Sequence, residues 1–198
     1  MRDALPARLL LTAAAYWSLV SAAMAQQAGK PAERPAFQPF RYDEDWGALA
    51  DRSTHRDWLD ALKYISLGRE GWFTTIGGEA RERFELLDQP GFGTGPVDDN
   101  GFFLQRYLLS SDFHFGARLR FFGELQSGLA NGRTGGPRAT DLDRLDVHQA
   151  FFDWRVFSAG TNSMTIRIGR QEIGFGSGRL LSPAEGLNVR RSICAYLN

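Results

Sequence analysis

Cysteine is nearly missing from this chain. Its 198 residues hold one, Cys194, which excludes an intramolecular disulfide framework and any multi-cysteine zinc site. Lysine is scarce too: Lys30 and Lys63 stand against 21 arginines. One reading of that bias is a GC-rich gene. The other is a use for rigid, bidentate cations, which lysine cannot supply. The 23 basic and 23 acidic residues cancel, and a neutral total argues against a nucleic-acid surface. The three histidines, His55, His114 and His148, fall at no metal-ligand spacing. After the leader, no run approaches the roughly 18 apolar residues of a transmembrane helix. If the chain enters a membrane, it must do so as strands closed into a barrel.

What is present begins with an address. Arg2 and Arg8 precede the apolar run from Leu9 to Val20, and Ala23-Met24-Ala25 follows before Gln26-Gln27. A charged start, a short apolar stretch and a small-x-small site form a secretory signal. Cleavage after Ala25 is expected, giving a leader at 1–25. A periplasmic segment is expected at 26–70. It opens with a stretch rich in Ala, Pro and Gln and continues with Arg41-Tyr42-Asp43-Glu44-Asp45-Trp46. Trp58, Leu59, Leu62 and Ile65 suggest a short amphipathic helix near Asp57 to Tyr64. This segment reads as a plug or cap, or equally as a linker.

From Gly71 to the end, 71–198, the period becomes two. Trp72 to Leu86 puts Glu79, Arg81, Arg83 and Glu85 on one face and Ile76, Ala80, Phe84 and Leu86 on the other, with Glu82 as the exception. Four more strands are expected at Phe102–Phe115, Ala117–Leu129, Asp146–Phe157 and Met164–Ile173. Arg170 and Glu172 break the alternation of the last, which suggests a bulge. The connections run long, short, long, short, as in outer-membrane barrels. Trp72, Phe84, Phe102, Phe115, Trp154 and Phe157 lie near strand ends and could form interface girdles. The fold class is therefore all-β: an antiparallel transmembrane barrel of outer-membrane type, with five or six strands present. A secreted β-sandwich that binds carbohydrate remains open, because one wet face gives the same period.

The polar face would carry Glu79, Arg81, Arg83, Glu85, Arg106, Asp112, Arg120, Glu124, Asp153, Arg155 and Arg167. Two uses fit. The charges can pair with one another and merely solvate an interior. Alternatively, the arginines attract an anionic solute while the carboxylates keep it from sticking, since conduction needs weak binding at several sites.

Several ordered stretches resemble the alginate export family of outer-membrane proteins: Arg41-Tyr42-Asp43-Glu44-Asp45-Trp46, Gly77-Gly78-Glu79-Ala80-Arg81-Glu82-Arg83-Phe84-Glu85, Leu104-Gln105-Arg106-Tyr107-Leu108-Leu109, Asp143-Arg144-Leu145-Asp146-Val147-His148-Gln149-Ala150-Phe151, Arg167-Ile168-Gly169-Arg170-Gln171-Glu172, Gly176-Ser177-Gly178-Arg179-Leu180 and Asn188-Val189-Arg190-Arg191-Ser192. The resemblance covers about Arg41 to Ser192. It implies a monomeric barrel of about eighteen strands with an Arg-rich lumen for anionic polysaccharide such as alginate, in contact with outer-membrane lipid and served by periplasmic secretion components. It implies no catalysis and no cofactor. By position, Arg81, Arg83, Arg106, Arg120, Arg167, Arg170, Arg179, Arg190 and Arg191 match its basic motifs. With Glu79, Glu85, Asp112, Glu124 and Asp153 they are the pore-lining candidates. Ile193 to Asn198 departs from the family pattern, and the strand count is below the roughly eight of the smallest closed barrels. The chain therefore reads as the N-terminal part of an exporter.

Other chemistries find no support. Glu79 and Glu85, six residues apart on one strand face, sit about 20 Å apart, too far for a glycosidase pair. Asp141, Asp143 and Asp146 lack the EF-hand ligand order. Phe175 and Arg179 occupy the glycine positions a nucleophile elbow would need.

Overall fold

The computed structural model describes residues 35–54, 57–88, 92–94, 98–160, 162–175 and 178–197. The leader, His55 and the Gly176-Ser177 part of one family-like motif lie outside them. One antiparallel sheet dominates, with seven strands in sequential order. They are β1 (Ile65–Ser66), β2 (Trp72–Leu87), β3 (Asp98–Phe115), β4 (Leu119–Asn131), β5 (Asp143–Ala159), β6 (Asn162–Gln171) and β7 (Ile193–Leu197). The five long ones, of 10 to 18 residues, meet the roughly 9–11 that a tilted strand needs to cross a bilayer. Two short strands, β1 and β7, flank them and do not pair with each other. No helix among the described residues is long and apolar enough to span a membrane.

Alternation built these strands, and it gives the sheet an inverted character. Its outer face is apolar and exposed: Phe84 (64%), Leu109, Phe121, Leu125, Phe152, Trp154 (49%), Val156 and Ile168 all lie open. The inner face holds the buried polar groups, among them Arg106 (0%), Asp112, Glu124, Gln126, Gln149 and Asp153. A soluble sandwich does the reverse, because apolar surface drives burial against the partner sheet. Glu82 is on the outer face as expected. It accepts hydrogen bonds from the Tyr107 hydroxyl (3.1 Å) and Gln105 Nε2 (3.4 Å).

The long connections, 88–97, 132–142 and 172–192, share one end of the sheet, and the short ones, 116–118 and 160–161, share the other. Gly116 makes the first short turn at φ 68°, a left-handed value that glycine adopts without strain. Gly169 has a different need. Its φ is 136°, and an added Cβ would lie 2.2 Å from the Ala150 carbonyl oxygen on β5.

Four details differ from the sequence reading. Phe102 is no girdle residue: it is buried inside, with the Arg133 guanidinium 3.7 Å above its ring. Arg170 sits in regular register opposite Ala150 and Cys194, so no bulge lies there and β6 ends at Gln171. Ile193–Leu197 forms β7 rather than ending the pattern. Finally, β2 to β5 run farther toward their long connections than alternation indicated, to Leu87, from Asp98, to Asn131 and from Asp143, because backbone pairing does not need an alternating side-chain pattern at loop ends.

Two segments lie on the inner face. The first, 36–54 with 57–64, has three short 3-10 turns and the four-residue helix α1 (Asp60–Lys63), where Leu59 and Leu62 announced a helix. Tyr42 packs edge-on against Phe122 and Phe151, with ring centroids 5.9 and 5.4 Å away. The second is the 172–192 connection. Asn188 donates to the carbonyls of Asp141 (2.7 Å), Gln105 and Leu129, which ties this connection to β3 and β4.

Candidate functional site

The inner face brings together most of the charged residues that alternation selects, but it does not leave them equal. Toward the long connections, cations and carboxylates are closely matched. Arg106 donates to Glu79 Oε1 from Nε (3.0 Å) and Nη2 (2.6 Å), to Glu185, and to the carbonyls of Glu185 and Leu187. Arg81 reaches the same two carbonyls, and Arg83 reaches that of Gly186 and the carboxylate of Glu85. Arg190 grips Glu172 with two hydrogen bonds of 2.6 Å and meets Glu185 at 2.9 Å. Such forks are planar, rigid and specific. Here they hold the 182–191 stretch to the sheet.

Burial disfavours a charged Glu185, yet the hydrogen bond from Arg106 and the charges of Arg190, Arg106 and Arg81 outweigh it. They hold its carboxyl below the usual glutamate range.

Toward the short turns the match fails. Arg120 forks onto Asp112 (2.7 and 2.7 Å) and Arg167 onto Asp153 (2.6 and 2.8 Å). Arg118 and Arg155 have no acidic partner among the described residues. With His114, Arg120, Thr165 and Arg167 they line an open recess of about 310 Å³ whose one carboxylate is Asp153. Arg155 stood on the polar face of its strand and Arg118 on the face of Arg120, so alternation contained the signal, but the family-like motifs did not mark them. The recess can take an anion, since unpaired guanidinium groups are forks without a carboxylate.

Tyr42 stands between these halves. Its ring lies 4.4 Å from the Arg167 guanidinium, its carbonyl accepts from Arg120, and its hydroxyl donates to the Glu172 carbonyl (3.0 Å). Burial, then the neighbouring Asp43 charge, pushes its hydroxyl up to about 12. Burial also raises the Asp43 carboxyl.

The remaining candidates lie elsewhere. Arg170 forks onto Asp146 (3.1 and 2.5 Å) and donates to Ser192. Arg179 and Arg191 are exposed beside a second recess of about 400 Å³ within the 172–192 connection. Asp141 pairs with Arg133 at 2.8 Å, and Asp146 with Arg170, so these two loop acids already have cations.

His148 departs from strict alternation. The register between β4 and β5 shifts after Glu124↔Gln149 to Leu125↔Val147. The extra residue in that bulge is His148, so both His148 and Gln149 are buried. Strict alternation would place one of them outside.

A family model described as alginate export matches residues 73–196. The match takes in β7 nearly to its end. No curated protein and no solved structure matches the chain. With the inverted sheet, the ordered basic motifs and a matched span over most of its length, the chain belongs to the alginate export family.

Proposed function

We propose that this sheet is an arc of the wall of an outer-membrane channel that passes anionic polysaccharide, alginate or a related anionic solute. The family is one of transport, and the reading needs no catalysis. The observation that carries it is the reversal of faces: apolar side chains exposed outside, charged ones gathered within. Lipid then covers the outer face. The inner face borders the lumen, and the short-turn recess with Arg118 and Arg155 is where a polyanion is first held. Segment 36–64 acts as a plug over this wall. A leader at 1–25 delivers the chain across the inner membrane. The described residues supply seven strands, against the roughly eight in the smallest closed barrels; a closed wall would pair further strands with β1 and β7, because open edges in lipid leave backbone groups unpaired.

The test is direct. After cell fractionation the chain should sediment with outer membranes. In a variant whose only tryptophan is Trp154, brominated lipid should quench the fluorescence. A chain found in the soluble periplasm, with Trp154 unquenched, would favour a secreted carbohydrate-binding sandwich and overturn this reading.

A further inference from the structure

We propose that Glu124, His148 and Glu172 form a binding site for one divalent transition-type cation, with Zn²⁺ the best fit. The site is independent of what the channel carries. It draws on three places in the sheet: Glu124 on β4, His148 in the β5 bulge and Glu172 just past the end of β6. Each offers one ligand atom, and these atoms all lie within 4.8 Å of one another. All three residues are at most 3% exposed.

Two further observations point to a ligand. Glu124 accepts from Gln149 Nε2 through Oε1 at 2.9 Å, while its Oε2 is enclosed and has no partner among the described residues. A buried carboxylate oxygen with nothing to accept is rare in folded proteins and calls for an explanation. The bulge is the other. It spends a break in the ladder to turn an imidazole inward beside two carboxylates, which is how bulges re-aim side chains next to sites.

The donor set chooses the ion. One imidazole and two carboxylates suit Zn²⁺ and its neighbours in the first transition row. Ca²⁺ wants six or more oxygens. Zinc ligands sit about 2.0–2.2 Å from the ion, so small side-chain rotations bring these atoms to bonding range. His148 Nε2 now lies 2.7 Å from Glu172 Oε1, and the ion would enter between them. Gln149 already braces both acids: its amide nitrogen donates to Glu124, and its oxygen accepts from the Glu172 backbone (3.0 Å). Partners of this kind orient metal ligands and tune affinity. Arg190 need not leave. It can hold Glu172 through Oε2 and Glu185 through Nη1 while Oε1 turns to the ion.

The experiment uses the full chain, stripped with a chelator and folded in detergent. Zn²⁺ is titrated against a chromogenic chelator. One ion per chain is expected. Glu124→Gln and His148→Ala should each weaken binding at least a hundredfold. His114→Ala, on the histidine paired with Asp112, should leave it unchanged. No stoichiometric binding by the parent chain overturns the proposal, as does Glu124→Gln binding as tightly as the parent. Should the variants fail to fold, X-ray absorption of the zinc-loaded parent decides the matter. One imidazole among oxygen ligands supports the site, and a shell without imidazole overturns it.

Discussion

The two halves of the inner wall are made of the same residue types and do different work. Near the long connections, Arg106, Arg81, Arg83 and Arg190 are absorbed by Glu79, Glu85, Glu172, Glu185 and backbone carbonyls. Near the short turns, Arg118 and Arg155 outnumber the carboxylates around them. An arginine count therefore says little about anion binding. A guanidinium that already holds two carboxylates has few donors left for a solute, and its contribution is to hold a loop in place. At the short-turn end of this face, the arginines without an acidic partner among the described residues are Arg118 and Arg155, and they line one recess.

Breaking the paired half should have the largest effect. Arg106→Ala removes a fully buried cation from between two acids. Losing one member of such a pair costs about 3 kcal/mol, read as a lowered urea midpoint in detergent. The 182–191 stretch should become a protease target at the same time. An unchanged midpoint would mean that the pairing is incidental.

Sharpening the contrast is the second step. Arg118→Gln with Arg155→Gln should leave the unfolding free energy, read from the urea transition, within about 0.5 kcal/mol of the parent, as surface substitutions do. Polyuronate binding, followed by calorimetry, should weaken about tenfold per arginine, or roughly 1.4 kcal/mol each. If the double variant instead loses stability and keeps its affinity, the roles of the two halves are exchanged.

The smallest effect is expected where the halves meet. Tyr42 titrates near 10 when unfolded and near 12 in place. A raised value means the folded form keeps its proton longer, so this contribution is complete below about pH 10 and is lost as pH rises toward 12. Absorbance of the tyrosinate should lag behind that of a Tyr42-exposed fragment across this window. Tyr42→Phe should remove that lag. A Tyr42 signal already half-complete near pH 10 would show that the segment does not shield the ring.

Much of this was legible in the sequence, for a physical reason. Strand period depends on side-chain alternation, so Glu79, Arg81, Arg106, Asp112, Arg120, Glu124, Asp153 and Arg167 sit on the face assigned to them. Loop length is likewise written in the chain. What alternation could not express was pairing. Arg106 answers to Glu185, far along the chain, and to carbonyl groups that every residue possesses. His148 was missed because one inserted residue flips the phase, and the bulge leaves no mark of its own in the sequence. Strand β7 was missed because its five residues are too few to display a period.

The apolar outer face has one more consequence. It exists only after folding. Along the unfolded chain its residues occur at every second position, diluted by Arg, Glu and Gln. A translocation machine that halts long greasy stretches meets none here, because that sorting reads consecutive residues. Strand pairing then assembles the same side chains into a continuous surface that water disfavours and lipid accepts. On the proposed outer-membrane reading, the decision to stay in a membrane is thereby postponed until the first membrane has been left behind.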